Sequence, residues 1–244
     1  MKIVSFSGID GAGKSTQILA LQEWLRKSGL HAQVLTFWDD VVVLSRFREF
    51  MSYKAFKGDH GVGSPHKPVN RRDKNVSSWP LTVVRFGLYF ADALHLAITV
   101  RRARTSEAEV VIFDRYIYDE LANLPLTQRF ARTFARLVLK LVPSPDLALI
   151  IDADPVAAQA RKPEYPLGFV RRNRESYIDL ARLAGHITVV APASIEAMKD
   201  KIKDEMLQIL APSSLVSRQC IATVPKDSQH LPRRTHRTLI DDDR

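Results

Sequence analysis

The chain is short of cysteine, of glycine and of long apolar runs. A single cysteine, Cys220, stands among 244 residues. No disulfide can form within the chain, which excludes a disulfide-stapled scaffold and fits a reducing cytoplasm. No apolar run approaches the ~20 residues that cross a bilayer. The N-terminus enters an apolar strand pattern directly, so no cleavable leader and no membrane partner are expected. No period recurs along the chain, which argues against a repeat architecture. The [NT]-K-x-D triplet that reads guanine in switch GTPases is absent.

Acidic residues are also in the minority. Thirty-six Lys and Arg face 27 Asp and Glu, a net charge of +9. Such a balance favours anionic partners. The basic clusters, Arg101 to Arg104 and Arg171 to Arg174, have no interleaved aromatics and no recognition module beside them. A nucleotide is therefore the expected anion, and nucleic acid is not.

Glycine is scarce, with ten in the whole chain, yet Gly8, Gly11 and Gly13 fall within six residues. They belong to "GIDGAGKST", which fits G-x-x-x-x-G-K-[ST], the phosphate-binding loop. Average residue usage gives roughly one accidental match per hundred proteins of this length. The surroundings make chance a poorer account. "KIVSFSG" reads as a buried strand ending at Gly8, and Ile18, Leu21 and Leu25 then recur at helical spacing. Glycines let the backbone take positive φ and approach a ligand closely. Successive N–H groups then line a nest for anionic oxygens, reinforced by a helix starting near Lys14. Gly8, Asp10, Gly11, Ala12, Gly13, Lys14, Ser15 and Thr16 are thus expected to hold the phosphates of a nucleotide. Lys14 would reach the β/γ-phosphates as a catalytic cation, and the Ser15 hydroxyl would ligate Mg²⁺.

Continuous apolar runs at 31–38, 109–114, 146–152 and 186–191 read as four more strands covered on both faces. Helical patterns alternate with them. Phe130, Phe134, Leu137, Val138 and Leu141 mark one helix face, and a serine opens a helix over 194–210. The expectation is an α/β fold of three α/β/α layers with a mostly parallel five-stranded sheet. The domain should span 1–211. Residues 53–80 form a long basic loop insertion, and residues 212–244 lack periodicity and read as a mobile basic tail.

Asp114 and Arg115 close the third strand. That edge of an open parallel sheet is where ligands sit. Asp114 could hold Mg²⁺ directly or through water, and Arg115 could clamp a phosphate with its planar fork. Residues 159–176, rich in cations and broken by proline and glycine, read as a lid. Arg161 is its preferred catalytic arm, with Arg171, Arg172 and Arg174 as substitutes.

These motifs resemble the thymidylate kinase family of P-loop nucleoside monophosphate kinases. "FSGIDGAGKSTQ" is close to its phosphate loop, down to Asp10. "DRY" at Asp114 to Tyr116 matches its second motif. "PDLALIIDADP" with "AAQAR" resembles its fourth strand and lid entry, and the likeness runs to about Leu210. It implies a P-loop kinase-type fold with ATP as donor for the phosphate loop, Mg²⁺, and a small acceptor, a nucleoside monophosphate, with Asp10 near the acceptor sugar and Arg115 on the acceptor phosphate. It leaves room for a homodimer. The acceptor half departs from the pattern. Ser7 stands where the family carries Glu, and Asp119 where it carries Ser. "FWDDVVVLSRF" offers Asp39 and Asp40, then Arg46 and Arg48, in place of an arginine near a Pro-Asp pair. Within "LYFADALHL" the base-contacting arginine falls at Ala93, so Arg85, two turns earlier, becomes the candidate on the acceptor side. Two other readings remain open: a kinase acting on a hydroxyl of a nucleoside or other small molecule, and a non-catalytic nucleotide-binding regulator.

Overall fold

A computed structural model describes residues 1–43 and 79–211. The chain divides into two units, Met1–Leu210 and Ala211–Arg244, and the first is described here. The expected loop, for residues 53–78, and the tail with Cys220 lie outside the described residues, as do Arg46 and Arg48.

Five strands form one sheet in the order β2-β3-β1-β4-β5. They are β1 (Lys2–Ser7), β2 (Ala32–Thr36), β3 (Val110–Asp114), β4 (Leu147–Ile151) and β5 (Ile187–Val190). Every neighbouring pair is parallel. Parallel strands need crossovers, and helices supply them. These are α1 (Lys14–Lys27), α2 (Trp79–Ala103), α3 (Ile117–Leu121), α4 (Arg129–Leu141), α5 (Pro155–Arg161), α6 (Leu167–Ala184) and α7 (Ile195–Leu210). Helix α1 packs on β1, β2, β3 and α7, while α2, α3, α4 and α6 pack among themselves, α6 also against β5. The central strands explain the continuous apolar runs. All five residues of β4 are buried, as are the last five of β1.

Three local readings change. The second strand ends at Thr36, because Phe37–Val41 winds into a short π-helical turn. Asp40 is spent there, its carboxylate accepting from Thr36 N at 2.6 Å. The segment reading as a loop to Pro80 gives way earlier, since α2 begins at Trp79.

The buried face of α4 is also rotated from the expected one. Ala131, Ala135 and Val138 are buried, whereas Phe130 and Leu137 are more than half exposed and Leu141 is exposed as well. Alanines let the helix approach its neighbours closely. The rings go to the flank, where Phe86 of α2 meets Phe130 at 5.1 Å and Phe134 at 4.2 Å between centroids. Periodicity marks the apolar positions of a helix, but the size available at the interface decides which of them are covered.

Helix α2 qualifies the reading of apolar runs. Its Val83–Ala103 stretch reaches a mean hydropathy of 1.4, by length and composition alone enough to cross a membrane. In the fold, Ala93, Leu96 and Val100 are fully buried and Asp92 accepts from Val43 N at 2.7 Å. His95 Nδ1 lies 2.6 Å from Val41 O. These contacts tie α2 to the chain leaving β2.

Candidate active site

The sheet order creates a crevice. From β1 the chain crosses to β2, returns through β3, and then jumps past β1 to β4. Ligands of open α/β sheets bind where the winding reverses, beyond the carboxyl ends of the strands. The register aligns those ends, with Phe6 opposite Asp114 and Ser7 opposite Ile150. Everything that follows Ser7 and Asp114 therefore emerges at one edge.

The loop from Gly8 to Gly13 has the strained backbone the motif predicts, with φ of +135° at Gly8, +81° at Gly11 and +93° at Gly13. Two glycines answer a second demand. A Cβ on Gly8 would collide with the Ile151 carbonyl, and one on Gly11 with the Ala158 carbonyl. The loop is thus pressed against the end of β4 and against α5. Ala12, buried, closes the turn by donating N–H to Ile9 O at 3.2 Å. Helix α1 starts at Lys14 with Gly13 as its cap and no side-chain bond over its terminus. Its first N–H groups and its positive dipole end face the loop. Ser15 and Thr16 are exposed there.

Lys14 is buried, 7% exposed, and donates to Gly8 O at 2.7 Å and Ile9 O at 2.9 Å. Burial, with the nearby Arg115 charge, lowers its pKa to about 8, against the opposing pull of Asp119, Asp10 and Asp114. A cation held at such a cost is poised for a stronger anion than two carbonyls.

Arg115 has φ of +71° and is the one non-glycine residue with positive φ among those described. Such a conformation costs roughly 1–3 kcal/mol and persists only where surroundings enforce it. Here its N–H bonds Phe6 O at 2.9 Å. Its Nη2 meets Asp10 Oδ1 at 2.5 Å and its Nη1 meets Asp119 Oδ1 at 2.9 Å. Burial works against the guanidinium charge, but Asp119, Tyr177 and Asp10 outweigh it and hold the pKa above its usual value. The strand end, the loop and α3 thus aim one arginine across the crevice mouth.

Asp119 is the centre of a buried cluster. Besides Arg115 it accepts from Ser7 Oγ at 2.6 Å, from Tyr177 OH at 2.7 Å and from Tyr116 N at 3.3 Å. Burial, then the Asp119 charge, pushes the Tyr177 phenol well above its usual range. Ser7 and Asp119, both departures from the family pattern, touch each other. Sequence distance hid this: the two are 112 residues apart.

On the lid side, Arg161 is exposed and its Nε donates back to Ala157 O of its own helix at 3.1 Å. The next residue, Lys162, reaches the loop. Its Nζ lies 3.8 Å from Asp10 Oδ1 and 3.3 Å from Glu164 Oε1. Proline and glycine spacing marked this segment, but not which of two adjacent cations points inward. Arg174 makes a two-pronged contact with Asp152 at the end of β4, both bonds at 2.6 Å. Arg171 and Arg172 are exposed. Arg85 is half-buried on α2, and Ala93 is fully buried, with no surface to offer a ligand.

No group of three or more metal-ligating side chains occurs among the described residues. Mg²⁺ keeps waters and takes one or two protein oxygens together with substrate phosphates. The exposed Ser15 hydroxyl and the half-buried Asp114 at the strand end are of this kind.

A parallel sheet wound past a glycine loop, with a buried lysine at a helix start, defines the class of P-loop α/β nucleotide kinases. No protein-family model matches the chain. A protein described as a probable thymidylate kinase from Pyrobaculum aerophilum is 30% identical over 207 residues, covering 78% of this chain and 88% of the relative. Another so described, from Methanosphaera stadtmanae, is 24% identical over 212 residues, covering 85% and 98%. The crystal structure of thymidylate kinase from Ehrlichia chaffeensis superposes with a TM-score of 0.54 at 17% identity, over 84% of this chain and 98% of that one. The chain belongs to the thymidylate kinase family.

Proposed function

We propose that this protein transfers the γ-phosphoryl group of ATP to the phosphate of a nucleoside monophosphate. The observation that carries the reading is Arg115, held in a left-handed backbone between Asp10 and Asp119 at the mouth of the phosphate loop. A planar cation fixed there suits an acceptor that already bears a phosphate. A free hydroxyl would not need it.

On this reading the backbone from Gly8 to Thr16 cradles the ATP phosphates. Lys14 exchanges the Gly8 and Ile9 carbonyls for phosphate oxygens and spreads the charge that develops on the transferring group. Ser15 and Asp114 hold Mg²⁺, which neutralises charge on the phosphates when bound. Arg115 and Asp10 orient the acceptor, Arg115 at its phosphate and Asp10 at its sugar, with Arg85 on the base side. An acceptor phosphate oxygen then attacks the γ-phosphorus as the bond to the β-phosphate oxygen breaks, leaving ADP and a nucleoside diphosphate. The lid, residues 159–176, closes over the phosphates and excludes water, with Lys162 beside Arg161 as its inward cation. The catalytic domain is residues 1–211, the tail is dispensable for turnover, and the enzyme works in the cytoplasm.

An ATP-consumption assay against a panel of nucleosides and nucleoside monophosphates tests this. Turnover with monophosphates and not with nucleosides is expected. Phosphorylation of nucleosides alone would favour a hydroxyl kinase, and ATP binding without transfer to any member would favour a regulator.

A further inference from the structure

The buried cluster beneath Arg115 is not explained by phosphate binding. Asp119 accepts four hydrogen bonds, from the end of β1, from the turn entering α3, from α6 and from Arg115 itself. Four is about the full capacity of a carboxylate. It is 2% exposed, so it touches no ligand directly. Its placement four residues after Arg115 puts both on one side of the short α3 turn. Two of the five guanidinium N–H groups of Arg115 are committed to Asp119 and Asp10, one on each terminal nitrogen. Two such anchors fix the guanidinium plane as well as its position.

The partner on β1 gives the cluster its particular form. Ser7 is fully buried and gives its hydroxyl to Asp119 Oδ2 at 2.6 Å. In the family pattern that the sequence resembles, glutamate stands at the position of Ser7 and serine at that of Asp119, so the two residue types are exchanged between strand and helix turn.

We propose that Asp119 is the positioning residue for Arg115, and that Ser7 and Asp119 form an exchanged hydroxyl–carboxylate pair that functions in either orientation. The inference rests on the acceptor role of Arg115 given above. With the carboxylate on α3, anchor and arginine belong to the same turn, and β1 contributes only a donor. With the carboxylate on β1, a glutamate has one methylene more with which to reach the same guanidinium.

The test uses the full chain carrying Asp119→Asn, Asp119→Ser, Ser7→Glu, the double exchange Ser7→Glu/Asp119→Ser, and Tyr177→Phe. Each is measured for acceptor kcat and KM with thymidylate, ATP dissociation constant and melting temperature. Asp119→Asn should lower acceptor kcat/KM at least about tenfold and leave ATP affinity within about twofold. Ser7→Glu alone should be as damaging, because two carboxylates would share one buried contact. The double exchange should recover to within about fivefold of wild type. Tyr177→Phe, which removes one hydroxyl donor, should cost about threefold on the acceptor side alone.

An Asp119→Asn protein within about twofold of wild type on the acceptor side would overturn the proposal. So would a folded double exchange no better than Asp119→Ser, or equal losses for ATP and acceptor in Tyr177→Phe. If the double exchange fails to melt cooperatively, Asp119→Asn and Tyr177→Phe decide. Failure of the functional reading looks different: wild type would phosphorylate no monophosphate. The positioning claim would still be read from the guanidinium NMR signals of Arg115. They should be resolved and slow to rotate in wild type and collapsed in Asp119→Asn; collapsed signals in wild type would sink it.

Discussion

The donor side and the acceptor side of this crevice are built by different means. On the proposed reading the donor side is one continuous stretch, from Gly8 to the first turn of α1, and its binding groups are backbone N–H and one lysine. The proposed acceptor side is assembled from Ser7 at the end of β1, Asp10 on the loop, Arg115 after β3, Asp119 on α3 and Tyr177 on α6. A site made of contiguous backbone tolerates few alternatives, because glycine spacing and the helix start fix its shape. A site made of side chains from separate elements can be rebuilt with the same groups on other elements, as the Ser7–Asp119 contact illustrates. The donor half accordingly matches the family pattern, and the acceptor half departs from it.

The sharpest way to break this contrast is at Lys14. Lys14→Ala should reduce turnover by roughly 10³-fold, since the charge on the transferring group loses its cation. The melting temperature at pH 7 should not fall, because burial of that ammonium already opposes its charge. A variant that kept half of wild-type turnover would remove the donor side from catalysis.

Arg115→Lys probes the other side. Lysine offers a point charge and cannot bridge Asp10 and Asp119 with a planar fork. Acceptor kcat/KM should drop at least about tenfold while ATP affinity stays nearly unchanged, as steady-state kinetics and direct ATP titration would report. Loss of ATP affinity to the same degree would merge the two halves into one.

Base selection should be weaker still. With a fully buried alanine, Ala93, at the position that resembles the family's base-contacting arginine, thymidylate should be preferred over deoxyuridylate by less than about tenfold, the scale of one methyl group. Competition kinetics with both substrates measures this. A stronger preference that disappears in Arg85→Ala would assign base reading to Arg85; one that survives would show a different pocket.

The pH dependence of ATP binding follows from Lys14. Its folded pKa of about 8 lies below the 10.5 of a free lysine side chain. Between those values the unfolded chain binds a proton that the folded, ligand-free protein does not. Stability from this group therefore rises with pH across that window, and its burial penalty is complete below it. ATP favours the charged form, so binding should take up roughly 0.8 proton at pH 8.5 and weaken about fourfold between pH 7 and 8.5. Calorimetry in buffers of differing ionisation enthalpy would show it. An absence of uptake would mean that Lys14 stays charged in the free protein.

The smallest effect separates two adjacent lid cations. Lys162→Ala should raise acceptor KM no more than about fivefold, as its contacts with Asp10 and Glu164 are half exposed. Arg161→Ala should change it by less than about twofold, because that guanidinium bonds its own helix. The reverse order would restore Arg161 as the arm.

The sequence by itself determined the donor half and the layering. Gly8, Gly11, Gly13 and Lys14 are read from spacing because backbone conformation and chain reach act over a few residues. The central strands β1, β3 and β4 are read because strands covered on both faces must be apolar throughout, whereas the edge strands β2 and β5, expected to be covered as well, are only partly buried. Only the tertiary structure decided the rest. It rotated α4 so that alanines and not phenylalanines are buried, turned Arg161 away and Lys162 inward, and brought Ser7, Arg115 and Tyr177 onto the Asp119 carboxylate. These outcomes depend on which side chains fit between elements distant in sequence. Close packing and the saturation of buried hydrogen bonds settle that in three dimensions, and no periodicity along the chain encodes it.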